Sequence, residues 1–297
     1  MTPHIQQFLD HLQYEKRYSK HTLISYKTDL YQFSTAMQEN YALSTITDIN
    51  EQMIRTWLAD YMEKGITAKT INRKLSTIKS FFKFLNRQGN LKKNIAAKLQ
   101  GPKQKKRLPI YMEEQKMDLL FQEEIDPDDY TSYRDYLIME LFYATGIRRA
   151  ELINLQTHHV DIASKQIKVL GKRNKERIIP ILDYLTFIIE RYKTLREKQF
   201  NPTNTNNYFF LTKKGEKMYP KLVYRLVNSY LSRVSTQDKK SPHVLRHTFA
   251  THMLNNGANL NAVKELLGHS SLAATQIYTH NTIEKLKKVY QQAHPKA

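Results

Sequence analysis

The chain contains no cysteine in its 297 residues. That absence removes disulfides, cysteine-ligated zinc fingers, iron–sulfur clusters and thiol nucleophiles together. Whatever chemistry it performs uses oxygen and nitrogen groups. Two glycine patterns that cradle phosphates, GxxxxGK[ST] and GxGxxG, are also missing, so nucleotide hydrolysis is not indicated. No apolar run approaches the roughly 20 residues that span a bilayer, and the opening MTPHIQQFLD has neither a basic n-region nor an apolar h-region. The expectation is a cytoplasmic protein without a membrane span. Acidic residues are scarce as well: 28 Asp and Glu face 47 Lys and Arg, for a formal charge of +19 and a pI near 9.7. An excess of that size points to a polyanionic partner, nucleic acid before an anionic membrane.

Charge and patterning divide the chain. Residues 1–100 read as four amphipathic helices with little strand signal. Thr2-Pro3 resembles a cap with a first-turn proline, and Ile5, Phe8, Leu9 and Leu12 form a stripe behind it. A second helix follows Ser19 with Leu23, Tyr26, Leu30 and Phe33 on one face. A third starts near Asn50 and buries Ile54, Trp57, Leu58 and Tyr61. The fourth, after Thr67, turns Ile71, Leu75, Ile78, Phe82 and Leu85 inward and Lys69, Arg73, Lys74, Lys79 and Lys83 outward. Those five cations are candidate DNA contacts, since phosphate binding calls for clustered positive charge. Residues 101–109, GPKQKKRLP, form a proline-bounded basic linker. Residues 1–107 hold 19 Lys and Arg against 8 Asp and Glu, a net +11 that leaves +8 for the rest, so both parts should touch the same polyanion.

Residues 110–297 mix helix and strand. A helix over 134–144 stops at Thr145-Gly146, and Ile147 opens another with Arg148 and Glu151 one turn apart. Residues 166–170 and 177–179 read as strands of a hairpin with Lys172 at its tip. Helices are expected at about 182–199 and 219–234, and a strand near 208–211. The most telling stretches are SPHVLRHTFATHML, 241–254, and LLGHSSLAATQIYTH, 266–280, which set His243, Arg246, His269 and Tyr278 in an order suited to attack on a phosphodiester by a tyrosine hydroxyl. His243 and Arg246 are three apart in a helical pattern, so they share a face and can grip one anion. Arginine supplies a planar, permanently charged fork and histidine moves a proton near neutral pH. His243 and His247 also have a metal-ligand spacing, but Val244 stands where a zinc protease carries glutamate and no third ligand is evident. No metal site is assigned.

With those residues in hand, the chain resembles the tyrosine site-specific recombinases of the phage integrase family, and within them the Xer type. YATGIRRAEL (143–152), GKRNKERIIP (171–180), HVLRHTFATHML (243–254) and LLGHSSLAATQIYTH (266–280) match family boxes in order. The resemblance implies a mainly α, two-domain protein: a four-helix SAM-like core-binding domain, and an α+β catalytic domain with a small antiparallel sheet, together clamping DNA. It implies Tyr278 as the nucleophile of a 3′-phosphotyrosyl bond, Arg148 and Arg246 on the non-bridging oxygens, and His243 in proton transfer. His269 would bond the phosphate, Lys172 would protonate the departing 5′-oxygen, and Glu151 would orient Arg148. No cofactor is implied. The partners implied are a double-stranded recombination site and a homo- or hetero-tetramer joined through a C-terminal tail helix, 282–290, whose apolar side carries Ile283, Leu286 and Val289. A type IB topoisomerase uses a similar set of side chains, and a catalytically silent DNA-binding relative is the other alternative.

Overall fold

Side-chain caps at Ser19, Asn50, Thr67, Asp129 and Asn259 fix where five of the described helices begin. The computed structural model describes residues 1–104, 110–171, 176–200, 207–268 and 280–296, with the backbone alone for 280–285. Two compact units are present, Met1–Arg107 and Leu108–Ala297.

The first unit is built from α1 (Thr2–Asp10), α2 (Lys20–Tyr41), α3 (Glu51–Glu63) and α4 (Ala68–Arg87). Ser19, Asn50 and Thr67 each accept a hydrogen bond from the backbone N–H three residues on, at 3.3, 3.0 and 3.4 Å, satisfying one of the orphan donors of a helix start. Thr2 does not cap α1. Met1 holds that position and Thr2 is the first helical residue, beside Pro3. The apolar stripes meet in one core in which the Phe33 and Trp57 rings cross edge to face, 5.1 Å apart, and Phe8 packs on Phe81 at 5.4 Å.

One cation expected on the outside of α4 is inside. Lys74 is 4% exposed, with Nζ 3.1 Å from Asp29, which is itself fully buried, and 4.5 Å from the Tyr61 ring centre. Position 74 lies between Ile71, Leu75 and Ile78 on the inward stripe, and its charge is matched by an aspartate rather than by solvent. Arg73 is exposed, yet its guanidinium also bonds Asp29 and the Ser25 hydroxyl. Lys69 and Lys83 are exposed and Lys79 half-buried.

The second unit is organised around α6 (Tyr130–Thr145), whose stretch from Leu137 to Thr145 is buried on every side. It begins four residues earlier than its apolar pattern suggests, because Asp129 accepts from the Ser132 N–H at 2.6 Å. Short α5 (Glu114–Gln122) precedes it and α7 (Arg149–Ile153) follows. A three-stranded antiparallel sheet comes next: β1 (Val160–Asp161), β2 (Gln166–Leu170) and β3 (Glu176–Pro180), with Gln166 opposite Pro180 and Leu170 opposite Glu176. Then come α8 (Asp183–Gln199), α9 (Pro220–Val234), α10 (Pro242–Asn255), α11 (Leu260–Leu267) and α12 (His280–Ala293). Residues 208–211 form no strand. Tyr208 and Leu211 make single bridges to Gln156 and Lys217, while Phe209 and Phe210 drive into the core against Tyr192.

The tail helix α12 packs on its own unit. Leu286, Tyr290 and Ala293 are buried with Leu182, Phe249, Met253 and Leu267, and the Tyr290 hydroxyl donates to the Ala144 carbonyl at 2.6 Å. Beyond the helix, Lys296 Nζ reaches the buried Glu140 carboxylate at 2.6 Å. Of the apolar side read from the sequence, Leu286 is buried in this cluster and Val289 packs against it.

Candidate active site

The site assembles where α6 stops. Gly146 ends that helix at φ +58°, a left-handed conformation that glycine adopts without strain, and a side chain there would strike Phe249 and Leu267. The turn delivers Arg148 to the N-cap of α7. Its backbone N–H donates to Glu151 Oε2 at 2.9 Å and its Nη1 to Oε1 at 2.8 Å, so the helix start itself aims the side chain. Arg148 Nη2 reaches the Gly268 carbonyl at 3.0 Å. Its side chain stays 30% exposed while that of Glu151 is 5% exposed.

Arg246 comes from α10. It is 8% exposed and donates to the carbonyls of Gly146 and Leu267, both at 2.6 Å. Burial, with the charges of Arg148 and Arg177 added, pulls its guanidinium down to about 9. A cation held at that cost favours the arrival of an anion. His243 stands on the first turn of α10, three residues before Arg246. Partial burial lowers its pKa below 6.5, and Arg149, His247, Arg246 and Arg148 push the same way, so the imidazole is neutral near pH 7 and able to accept a proton. Burial pushes the Glu151 carboxyl up, but the bonds and charge of Arg177, joined by Arg148, outweigh it and hold the group ionised.

Arg148, Glu151, His243 and Arg246 therefore lie in one electrostatic neighbourhood. Lys172, His269 and Tyr278 lie outside the described residues. Arg177, on β3, is the residue that sequence reasoning missed: it is 5% exposed and both of its terminal nitrogens bond Glu151, each at 2.8 Å. The signal was present, because Arg177 is in phase with Ile179 on the buried face of the strand, where a charge needs a partner.

Two fixed cations and a neutral imidazole, with no acid free among them, make a site for a phosphodiester. Comparison with known proteins agrees. Residues 111–285 match the phage integrase family and residues 5–89 the phage integrase, N-terminal SAM-like domain. The chain belongs to the phage integrase family. It is 38% identical over 290 residues to the tyrosine recombinase XerC of Staphylococcus epidermidis, covering 98% of this chain and 96% of that protein. It is 36% identical to the tyrosine recombinase XerD of Staphylococcus haemolyticus, over 99% of both. In fold it resembles the XerH site-specific recombinase solved in a post-cleavage complex with its palindromic difH substrate, with a TM-score of 0.72 at 20% identity over 96% of this chain and 83% of that one. No described helix is long and apolar enough to cross a membrane.

Proposed function

We propose that this protein is a Xer-type tyrosine recombinase that cuts and rejoins DNA at a specific site. The observation that carries the reading is the pair of preset guanidiniums, Arg148 held by Glu151 and Arg246 held by Gly146 and Leu267, with neutral His243 beside them. Preorganised donors of this kind act where charge grows in a transition state, and one of them is typically worth about 3 kcal/mol or more.

The chemistry follows from the groups. The Tyr278 phenol gives its proton to His243 and its oxygen attacks phosphorus. The bond to the 5′-oxygen breaks as Lys172 supplies that oxygen with a proton. Arg148 and Arg246, with His269, hold the non-bridging oxygens. The product is a 3′-phosphotyrosyl bond that keeps the energy of the broken one, so a 5′-hydroxyl from a second duplex reverses the step and reseals the strand. Two duplexes and four cuts call for a tetramer of like or paired subunits, and the substrate places the protein in the cytoplasm. The process served is chromosome dimer resolution or the movement of a mobile element. The close match to recombinases over nearly the whole chain disfavours a topoisomerase.

A nicked suicide substrate tests the proposal. The wild-type protein should become covalently joined to the 3′ end, and Tyr278→Phe should abolish the adduct while still binding the DNA. An adduct undiminished in that variant would remove Tyr278 from the role.

A further inference from the structure

Three successive carbonyls at the end of α11 are each taken by a different arginine. Arg177 Nε donates to Leu266 at 2.9 Å, Arg246 Nη2 to Leu267 at 2.6 Å and Arg148 Nη2 to Gly268 at 3.0 Å. The last carbonyls of a helix have no partner within it and carry the negative end of its dipole, so this terminus is a natural seat for cations. Arg177 lies against it so closely that a Cβ on Gly268 would come within 2.9 Å of Arg177 Cδ. Of the three arginines, Arg148 keeps the most exposure and Arg177 the least.

Glu151 links Arg148 to Arg177. Its Oε1 accepts from Arg148 Nη1 and Arg177 Nη1, and its Oε2 from the Arg148 N–H and Arg177 Nη2. The carboxylate is thus shared between two guanidiniums, and the three groups together carry one net positive charge. Without Arg177 the pair Arg148–Glu151 would be neutral, and the carboxylate would be free to draw Arg148 into a two-pronged pair in place of a phosphate.

We propose that Arg177 is a positioning residue for strand cleavage: by engaging Glu151 and the end of α11, it leaves the charge of Arg148 available to the scissile phosphate. This rests on the recombinase reading given above. Arg177 touches no substrate atom in this role; it acts through Glu151 and Arg148.

The test uses the full-length protein on the nicked suicide substrate, with single-turnover cleavage at saturating DNA, and DNA binding measured separately. Arg177→Met should cleave about tenfold to a hundredfold more slowly, the range usual when a supporting partner of an active-site group is removed, with DNA binding nearly unchanged. Adding Glu151→Gln to Arg177→Met removes the carboxylate that would otherwise neutralise Arg148, and should recover a substantial part of the rate. Arg177→Lys, which keeps the charge without the fork, should fall between wild type and Arg177→Met, and it replaces that variant if Arg177→Met does not fold. Cleavage by Arg177→Met at the wild-type rate overturns the proposal. So does a slow rate that neither Glu151→Gln nor the lysine variant improves, because loss of packing alone predicts that result. Failure of the recombinase reading itself is distinct, since the wild-type protein would then form no adduct.

Discussion

Replacing Gly146 with alanine should loosen the site from its floor. Two costs separate cleanly at this position. The left-handed backbone, φ +58°, costs a residue with a Cβ about 1–2 kcal/mol. The new methyl would also stand 2.6 Å from Phe249 Cδ1 and 2.8 Å from Leu267 Cδ2, closer than carbon atoms approach. Forcing extra carbon into a packed core typically costs about 1–3 kcal/mol more. Gly257 supplies the control, because it too has a positive φ, +86°, but open space where its Cβ would go. Gly257→Ala should show the backbone cost alone. The gap between the two variants should therefore be about 1–3 kcal/mol, which at roughly 2–4 °C per kcal/mol for a unit of this size is about 2–12 °C in melting temperature. Thermal unfolding followed by circular dichroism measures it. The effect should also reach chemistry, since the Gly146 carbonyl and Leu267 both hold Arg246. Equal melting temperatures for Gly146→Ala and Gly257→Ala would show that Gly146 is not packed against Phe249 and Leu267 in solution.

Other consequences can be measured independently. Because the His243 pKa is lowered, its base form persists as pH falls through 6.5, and kcat/KM for cleavage should decline only below that value; an acid limb at or above 6.5 would show that the ring is not in the cationic field described. Lys69→Ala and Lys83→Ala should each reduce the steepness with which salt weakens DNA binding, by about 0.9 for every phosphate that the lysine neutralises. Lys74→Met should leave that slope unchanged and destabilise the first unit, by up to about 3–5 kcal/mol as for a broken buried ion pair. A reduced salt slope in Lys74→Met would mean that its charge meets DNA. Tyr290→Ala should cost about 3–5 kcal/mol, as for other large buried rings, and make the C terminus sensitive to protease. Wild-type melting in that variant would mean that α12 does not sit on its own unit in the free protein.

Much of the fold was legible because local signals and packing agree. Ser19, Asn50 and Thr67 both begin a helix by chemistry and stand ahead of an apolar stripe, so the first unit could be read residue by residue. One cation, Lys74, was read as facing water, and another, Arg177, was passed over. Lys74 and Arg177 sit on inward-facing positions, each matched by a carboxylate distant in sequence, Asp29 or Glu151, and nothing local announces such a partner. Residues 208–211 have the composition of a strand but bury their rings without a neighbouring ladder to join. Spacing alone made Arg148 with Glu151, and His243 with Arg246, legible as two separate pairs, and only the family resemblance joined the pairs in one expected site. Their supports, the Gly146, Leu267 and Gly268 carbonyls, are backbone atoms and leave no mark in a sequence.

The docking of α12 ties the far end of the chain to the floor of the site. Tyr290 donates to the carbonyl of Ala144, two residues before the Gly146 turn whose own carbonyl holds Arg246, and Lys296 reaches Glu140 one turn further back in α6. Leu286, Tyr290 and Ala293 share a cluster with Phe249 and Leu267, the two side chains that crowd Gly146. Unseating the helix would open that cluster to water, so the stability of one small helix–core interface also sets how firmly the turn beneath the arginines is held.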